Sequence, residues 1–292
     1  MVNNMTEDYS MGNESVVRIN DATDKSEESI QKNYLKEIIH TKFGSHRGLG
    51  SQEVRENSKE AIYRAIENKS VFVEFDVSYC KIDGTLRLGH PPQEPFEKLE
   101  EIYSLFKNTP TYPKVDIKFS DKDDYKKMID KVIEQGNKSE LDFILVNIGD
   151  YGEKNKALEV EEYFCSKIKN KPQFKLNIDL ERYKNKAEEG YDEEIVNKHI
   201  DKYKERIYSV SPEINETDWE KTAEFCKEHD IKNIGFWLRG WPDNPNPKVQ
   251  EETIKNALDI EKQYQGISIY FDIPKDKVID NSDEYSQQVN EV

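Results

Sequence analysis

The sequence predicts an α/β chain in which one (β/α)8 TIM barrel makes a single domain, and three observations predict it. From Tyr34 onward, short apolar or alternating runs trade places with segments of helical periodicity. The strand-like runs number eight within about 240 residues, which suits a barrel better than a doubly wound sheet. In several of them the apolar residues take one strand face and the polar residues the other, as if helices covered the outside and a polar mouth lay within. Half-exposed antiparallel strands would alternate in the same way, but the intervening helices favour parallel crossovers.

The first strand is expected at Lys42 to Arg47, followed by the helical pattern SKEAIYRAIEN. The second, Val71 to Ser78, sets Val71, Val73, Phe75 and Val77 against Glu74 and Asp76. After it, Asp83-Gly84 signals a tight turn and a short returning strand that ends near His90. The pattern PFEKLEEIYSLFKN leads to the third strand, Lys114 to Phe119, where Val115, Ile117 and Phe119 oppose Asp116 and Lys118. The pattern DDYKKMIDKVIEQ precedes the fourth, Phe143 to Ile148. In the fifth, Phe174 to Leu180, Leu176, Ile178 and Leu180 oppose Asn177, Asp179 and Glu181. Ile207 to Ser211 is the sixth. TDWEKTAEFCKEH then leads to the seventh, Asn233 to Leu238, in which Ile234, Phe236 and Leu238 oppose Trp237 and Arg239. VQEETIKNALDIEKQY precedes the last, Ile267 to Ile273. Residues 1–33 are acidic and polar without apolar periodicity and are expected to form a tail outside the domain of residues 34–292.

A net charge of -16 excludes a general nucleic-acid or anionic-membrane binder, so a phosphate-bearing ligand would need a local cation. The three cysteines, Cys80, Cys165 and Cys226, are odd in number and widely spaced, so they read as packing residues in a reducing compartment. No stretch approaches the roughly 20 apolar residues of a membrane span, and the first residues do not resemble a signal peptide. A cytoplasmic location without stable membrane insertion is the expectation.

His46 and His90 each close a predicted strand beside a turn-forming glycine, where a pair of imidazoles could work as general base and acid. His40, His199 and His229 fall in helical or linker contexts and read as ordinary polar residues. Glu74 and Asp76 share a strand face, and Asp116 on the next predicted strand adds a third carboxylate. Three acids without cysteine suit a hard divalent cation, Mg²⁺ or Ca²⁺, while a solvated or arginine-paired acidic patch accounts for the same spacing.

HRG at 46–48, ENS at 56–58, VEFDV at 73–77, DGTLRLGH at 83–90 and VDIK at 115–118, in that order, resemble the glycerophosphodiester phosphodiesterase family. The close match spans about the first three βα units, with a looser one at SPEI, 211–214. The resemblance implies that His46 and His90 form the acid-base pair and that Glu74, Asp76 and Asp116 hold one divalent cation. It also implies that Arg47 and Lys118 meet the phosphate and that Glu56 and Asn57 shape the mouth. Asp116 stands where the family usually has glutamate, more like its sphingomyelinase D relatives. Between His90 and Asp116 lie only 25 residues, too few for the insertion that typical members use to recognise glycerol, and Pro91-Pro92 follows His90 as in shorter members.

The function implied is metal-dependent hydrolysis of a small phosphodiester, attacked by water or by a neighbouring hydroxyl of the substrate. Trp237, Arg239 and Tyr270 are expected at the same mouth, facing the alcohol. The rivals are a non-catalytic barrel that binds phosphorylated head groups or a partner protein, and a sphingomyelinase D-like phospholipase.

Overall fold

The computed structural model describes residues 42–51, 53–89, 97–119, 125–149, 154–180, 193–212, 219–237 and 247–272, all within the unit Glu37–Val292. The predicted tail, residues 1–33, lies outside them. Nine strands are described: β1 (Phe43–Gly44), β2 (Phe72–Tyr79), β3 (Leu86–Leu88), β4 (Tyr112–Ile117), β5 (Ile144–Ile148), β6 (Phe174–Asp179), β7 (Ile207–Ser211), β8 (Asn233–Trp237) and β9 (Ser268–Asp272). They form one sheet in the order β1-β9-β8-β7-β6-β5-β4-β2-β3, parallel throughout except for the β2–β3 hairpin. The sheet curls, because its first strand also bonds toward β2. Val71 N–H donates to the Phe43 carbonyl, Ser45 N–H to Phe72, and Glu74 N–H to Ser45, at 2.9, 3.0 and 2.9 Å.

Helices run between the parallel strands: α1 (Lys59–Glu67), α2 (Leu99–Tyr103) continued by a 3₁₀ turn at Ser104–Phe106, α3 (Tyr125–Ser139), α4 (Lys154–Lys167), α5 (Glu193–Tyr203), α6 (Trp219–Glu228) and α7 (Pro247–Gln263). Ser58 caps α1 by accepting the Ala61 N–H at 3.2 Å, and the helix buries Ala61, Ile62, Ala65 and Ile66. Ile62, Ala65 and Ile66 pack with Val73, Phe75 and Val77 of β2, Val115 and Ile117 of β4 and Val146 and Ile148 of β5 in one core. Each fully buried aliphatic side chain stabilises that layer by about 1.5–3 kcal/mol relative to exposure. The other strand face begins with rings: Phe72, Tyr112, Phe143 and Tyr208 lie in a chain of contacts with centroids 4.8–6.2 Å apart. Successive residues alternate faces, so Glu74 and Asp76 follow Phe72, and Lys114 and Asp116 follow Tyr112.

The returning strand predicted after Asp83-Gly84 is β3. Gly84 supplies the left-handed residue (φ +70°), and Asp83 accepts from the Thr85 N–H and hydroxyl. Two strands differ from expectation by more than one residue at an end. β1 has two residues rather than six, because the chain turns at Arg47 (φ +56°) and Gly48 (φ +76°). β4 begins at Tyr112, two residues early: its pairing with β5 starts only at Lys114–Leu145, so the missing N–H of Pro113 falls before that ladder. Cys80, Cys165 and Cys226 are buried and unbridged, and burial pushes the Cys226 thiol up to about 12. No described helix is long and apolar enough to cross a membrane.

Candidate active site

Where β1 ends, the chain enters the His46-Arg47-Gly48 turn. A side chain on Gly48 would meet the backbone carbonyl carbon of Ala61 at 2.7 Å, so only glycine lets the turn sit against α1. Leu49 N–H donates to the Ala61 carbonyl and Asn57 N–H to the Arg47 carbonyl, both at 2.9 Å. HRG and ENS are therefore two halves of one packed corner.

That corner meets β2. Asn57, itself left-handed (φ +57°) and buried, holds Asp76 at both ends. Its amide nitrogen donates to Asp76 Oδ2 at 2.8 Å, and its amide oxygen accepts the Asp76 N–H at 2.9 Å. Arg47 contacts both acids of β2, with Nε 2.9 Å from Asp76 Oδ2 and its backbone N–H donating to Glu74 Oε2 at 2.9 Å. Asp116 is the register partner of Asp76 on β4. Lys118, one inward position farther along, lies 2.6 Å from Asp116 Oδ2 and 3.1 Å from Asp76 Oδ1.

Glu74, Asp76 and Asp116 are all buried, and one carboxylate oxygen from each lies within 4.8 Å of the others. Two oxygens bound to one Ca²⁺ at ~2.3–2.6 Å can be separated by at most about 5 Å, so the three fit a single hard cation. Burial and the neighbouring Asp76, Asp272 and Asp116 raise the Glu74 carboxyl well above its ordinary value. His46 Nε2 lies 3.8 Å from Glu74 Oε2, too long for a hydrogen bond. Its pKa is lowered, mainly by burial, although Asp272 pulls the other way, so the ring is a neutral base near pH 7.

Three features were not read from the sequence. Asn57 holds a carboxylate rather than merely shaping a turn. Lys114 and Asp272 form a buried pair at 2.5 Å on the same interior face as Glu74 and below Asp76 and Asp116. Asn177 accepts from the hydroxyls of Ser209 and Ser211 at 2.6 and 3.1 Å and donates to Asn147 Oδ1 at 3.3 Å. The strand alternation that set Asn177 opposite Leu176 was the available signal for that network. Tyr270, expected at the mouth, lies on β9 as the register partner of Gly235, two residues before that strand ends at Asp272.

His90 and Arg239 lie outside the described residues. The described chain reaches Gly89, whose N–H donates to the Asp76 carbonyl at 3.0 Å. Of Trp237 only the backbone is described, as the register partner of Asp272.

No family model and no curated protein matches the sequence. Solved structures do. A Galdieria sulphuraria protein assigned as a glycerophosphodiester phosphodiesterase aligns with a TM-score of 0.59 at 12% identity, over 83% of this chain and 97% of that one. A glycerophosphodiester phosphodiesterase from Parabacteroides distasonis ATCC 8503 gives 0.55 at 14% identity, over 84% and 98%. An Oleispira antarctica phosphodiesterase, solved with its product sn-glycerol-3-phosphate, gives 0.56 at 12%, over 83% and 96%. At such identities the likeness is one of fold.

Proposed function

We propose that the curled sheet is a closed (β/α)8 barrel and that its mouth hydrolyses a small phosphodiester with the help of one divalent cation, Mg²⁺ or Ca²⁺. The observation that carries this reading is the convergence of Glu74, Asp76 and Asp116, flanked by Arg47, Lys118 and His46. Hydrogen bonds from Val71, Ser45 and Glu74 across β1 and β2 support the closure. The phosphodiesterases of like fold support the reaction class, and so does the agreement of the HRG, ExD and DxK residues with the sequence resemblance.

A cation held by the three acids would supply charge stabilisation to the non-bridging oxygens of the diester. Asn57 and the Arg47 backbone orient two of those acids, so little reorganisation is left for the reaction. Arg47 and Lys118 each have a carboxylate partner in the free protein and sit at the rim, 29% and 20% exposed, from where they can turn to a phosphate. Neutral His46 accepts the proton of the nucleophile, whether water or a substrate hydroxyl, and His90 protonates the departing alkoxide. Trp237 and Arg239 would contact the alcohol.

The test is a panel of glycerophosphodiesters, lysolipids and sugar phosphodiesters, assayed with Mg²⁺, with Ca²⁺ and with EDTA. Cation-dependent release of an alcohol and a phosphomonoester or cyclic phosphate is expected. Turnover undiminished in EDTA, or none on any diester, would overturn the proposal.

A further inference from the structure

Across the curled sheet, one transverse row of register partners runs Asp76, Asp116, Asn147, Asn177, Ser209. Register partners on neighbouring parallel strands share a face, so the row begins with two of the acids and continues as uncharged amides and a hydroxyl. The uncharged half is directional. Ser209 and Ser211 both donate to Asn177 Oδ1, which turns the Asn177 amide nitrogen toward Asn147 Oδ1. The Asn147 amide nitrogen is thereby left facing the interior, and among the described residues it has no hydrogen-bond partner. Asn147 is also the one residue of β5 that is not buried, on a strand otherwise closed to solvent. On β8, the strand next to β7, Gly235 leaves room beside these groups: a side chain there would come within 3.1 Å of Ser211 Oγ and 3.7 Å of Asn177 Oδ1.

We propose that Asn147 contacts the substrate, donating from its amide nitrogen to a phosphate oxygen of the diester, and that Asn177, Ser209 and Ser211 position it. The proposal rests on the phosphodiesterase reading above and adds to it a residue that neither the motifs nor their spacing indicated. An uncharged donor beside Asp116 does not compete with a cation for the acids, as a third lysine or arginine would. It still presents its positive end to an anionic oxygen, and its position is set before substrate arrives.

The experiment compares wild type with N147A, N147Q and S209A by three readouts: Mg²⁺ affinity by calorimetry, affinity of the Mg²⁺-loaded protein for inorganic phosphate, and kcat and KM on the best diester. Loss of one hydrogen bond to a charged oxygen corresponds to a weakening of about tenfold to a hundredfold. N147A is expected to weaken phosphate binding and lower kcat by that order while Mg²⁺ affinity stays within about twofold of wild type. N147Q should recover part of the loss. S209A, which loosens the relay at its far end, should show a smaller loss in the same direction, and it carries the test if N147A fails to fold. Phosphate affinity and turnover equal to wild type in N147A, or in S209A where N147A does not fold, would overturn the proposal and leave the phosphodiesterase reading standing. So would loss of Mg²⁺ binding as large as the loss of phosphate binding. A wild type that neither binds phosphate nor cleaves any diester would remove both.

Discussion

Glu74 is the residue whose charge the site must manage. Its carboxyl is held well above the ordinary value by burial first and by three neighbouring acids next, so the cation-free protein keeps it protonated where a surface glutamate would ionise. A folded pKa above the unfolded one means that folding takes up a proton. The stabilisation is therefore complete below the ordinary carboxylate range and is lost as pH rises through the elevated value. In EDTA, the melting temperature of wild type should fall as pH rises above the ordinary carboxylate range. Glu74→Gln should flatten that slope, and a slope equally steep in the variant would assign the titration elsewhere. His46 behaves oppositely, since burial lowers its pKa and favours the neutral ring. His46→Ala should lower kcat at least about a hundredfold while shifting the melting temperature little, because the ring is at the rim, 19% exposed. His90→Ala should do the same. Activity retained in either variant would remove that histidine from the acid-base pair.

The site stands on a few elements that brace one another, chiefly the HRG turn, the start of α1 and β2. Gly48→Ala places a side chain 2.7 Å from the Ala61 backbone at φ +76°, so the turn must separate from α1 and Asn57 must loosen its hold on Asp76. Denaturant unfolding should show a loss of more than about 1 kcal/mol, and turnover should fall with it; a variant of native stability and activity would show that the corner is not rigid. The acids of β2 and β4 were legible in the sequence because strand alternation exposes them locally: VEFDV and VDIK show which residues share a face. The reach of β1 was not legible, since it depends on where the HRG turn meets α1. Nor were the Asn57–Asp76 and Lys114–Asp272 contacts, which join residues 19 and 158 apart in the chain. Asn177 sat visibly on the polar face, yet its partners on β5 and β7 are set by register between strands that the sequence shows one at a time.

On the scale of the whole molecule, a chain of net charge -16 admits a phosphodiester only where positive charge is concentrated. Arg47, Lys118 and a cation at the three acids would provide that concentration at one end of the parallel strands. Residues 1–30 are polar and acidic in sequence, without apolar periodicity. Their removal should leave melting temperature and turnover nearly unchanged, and a substantial fall in either would show that they dock on the rest of the chain. The account depends most on whether Glu74, Asp76 and Asp116 share a cation. The direct measurement is the melting temperature of metal-free protein titrated with Mg²⁺ and with Ca²⁺, in parallel with Asp76→Asn. A ligand bound only by the folded chain raises stability by about 2.7 kcal/mol at a hundred times its dissociation constant. Wild type should therefore melt several degrees higher at saturating cation. Asp76→Asn, which gives up the ion pairs with Arg47 and Lys118, should start at a lower temperature and gain far less. A wild type indifferent to both cations, or an Asp76→Asn protein that gains as much as wild type, would contradict the metal site and the reaction built on it.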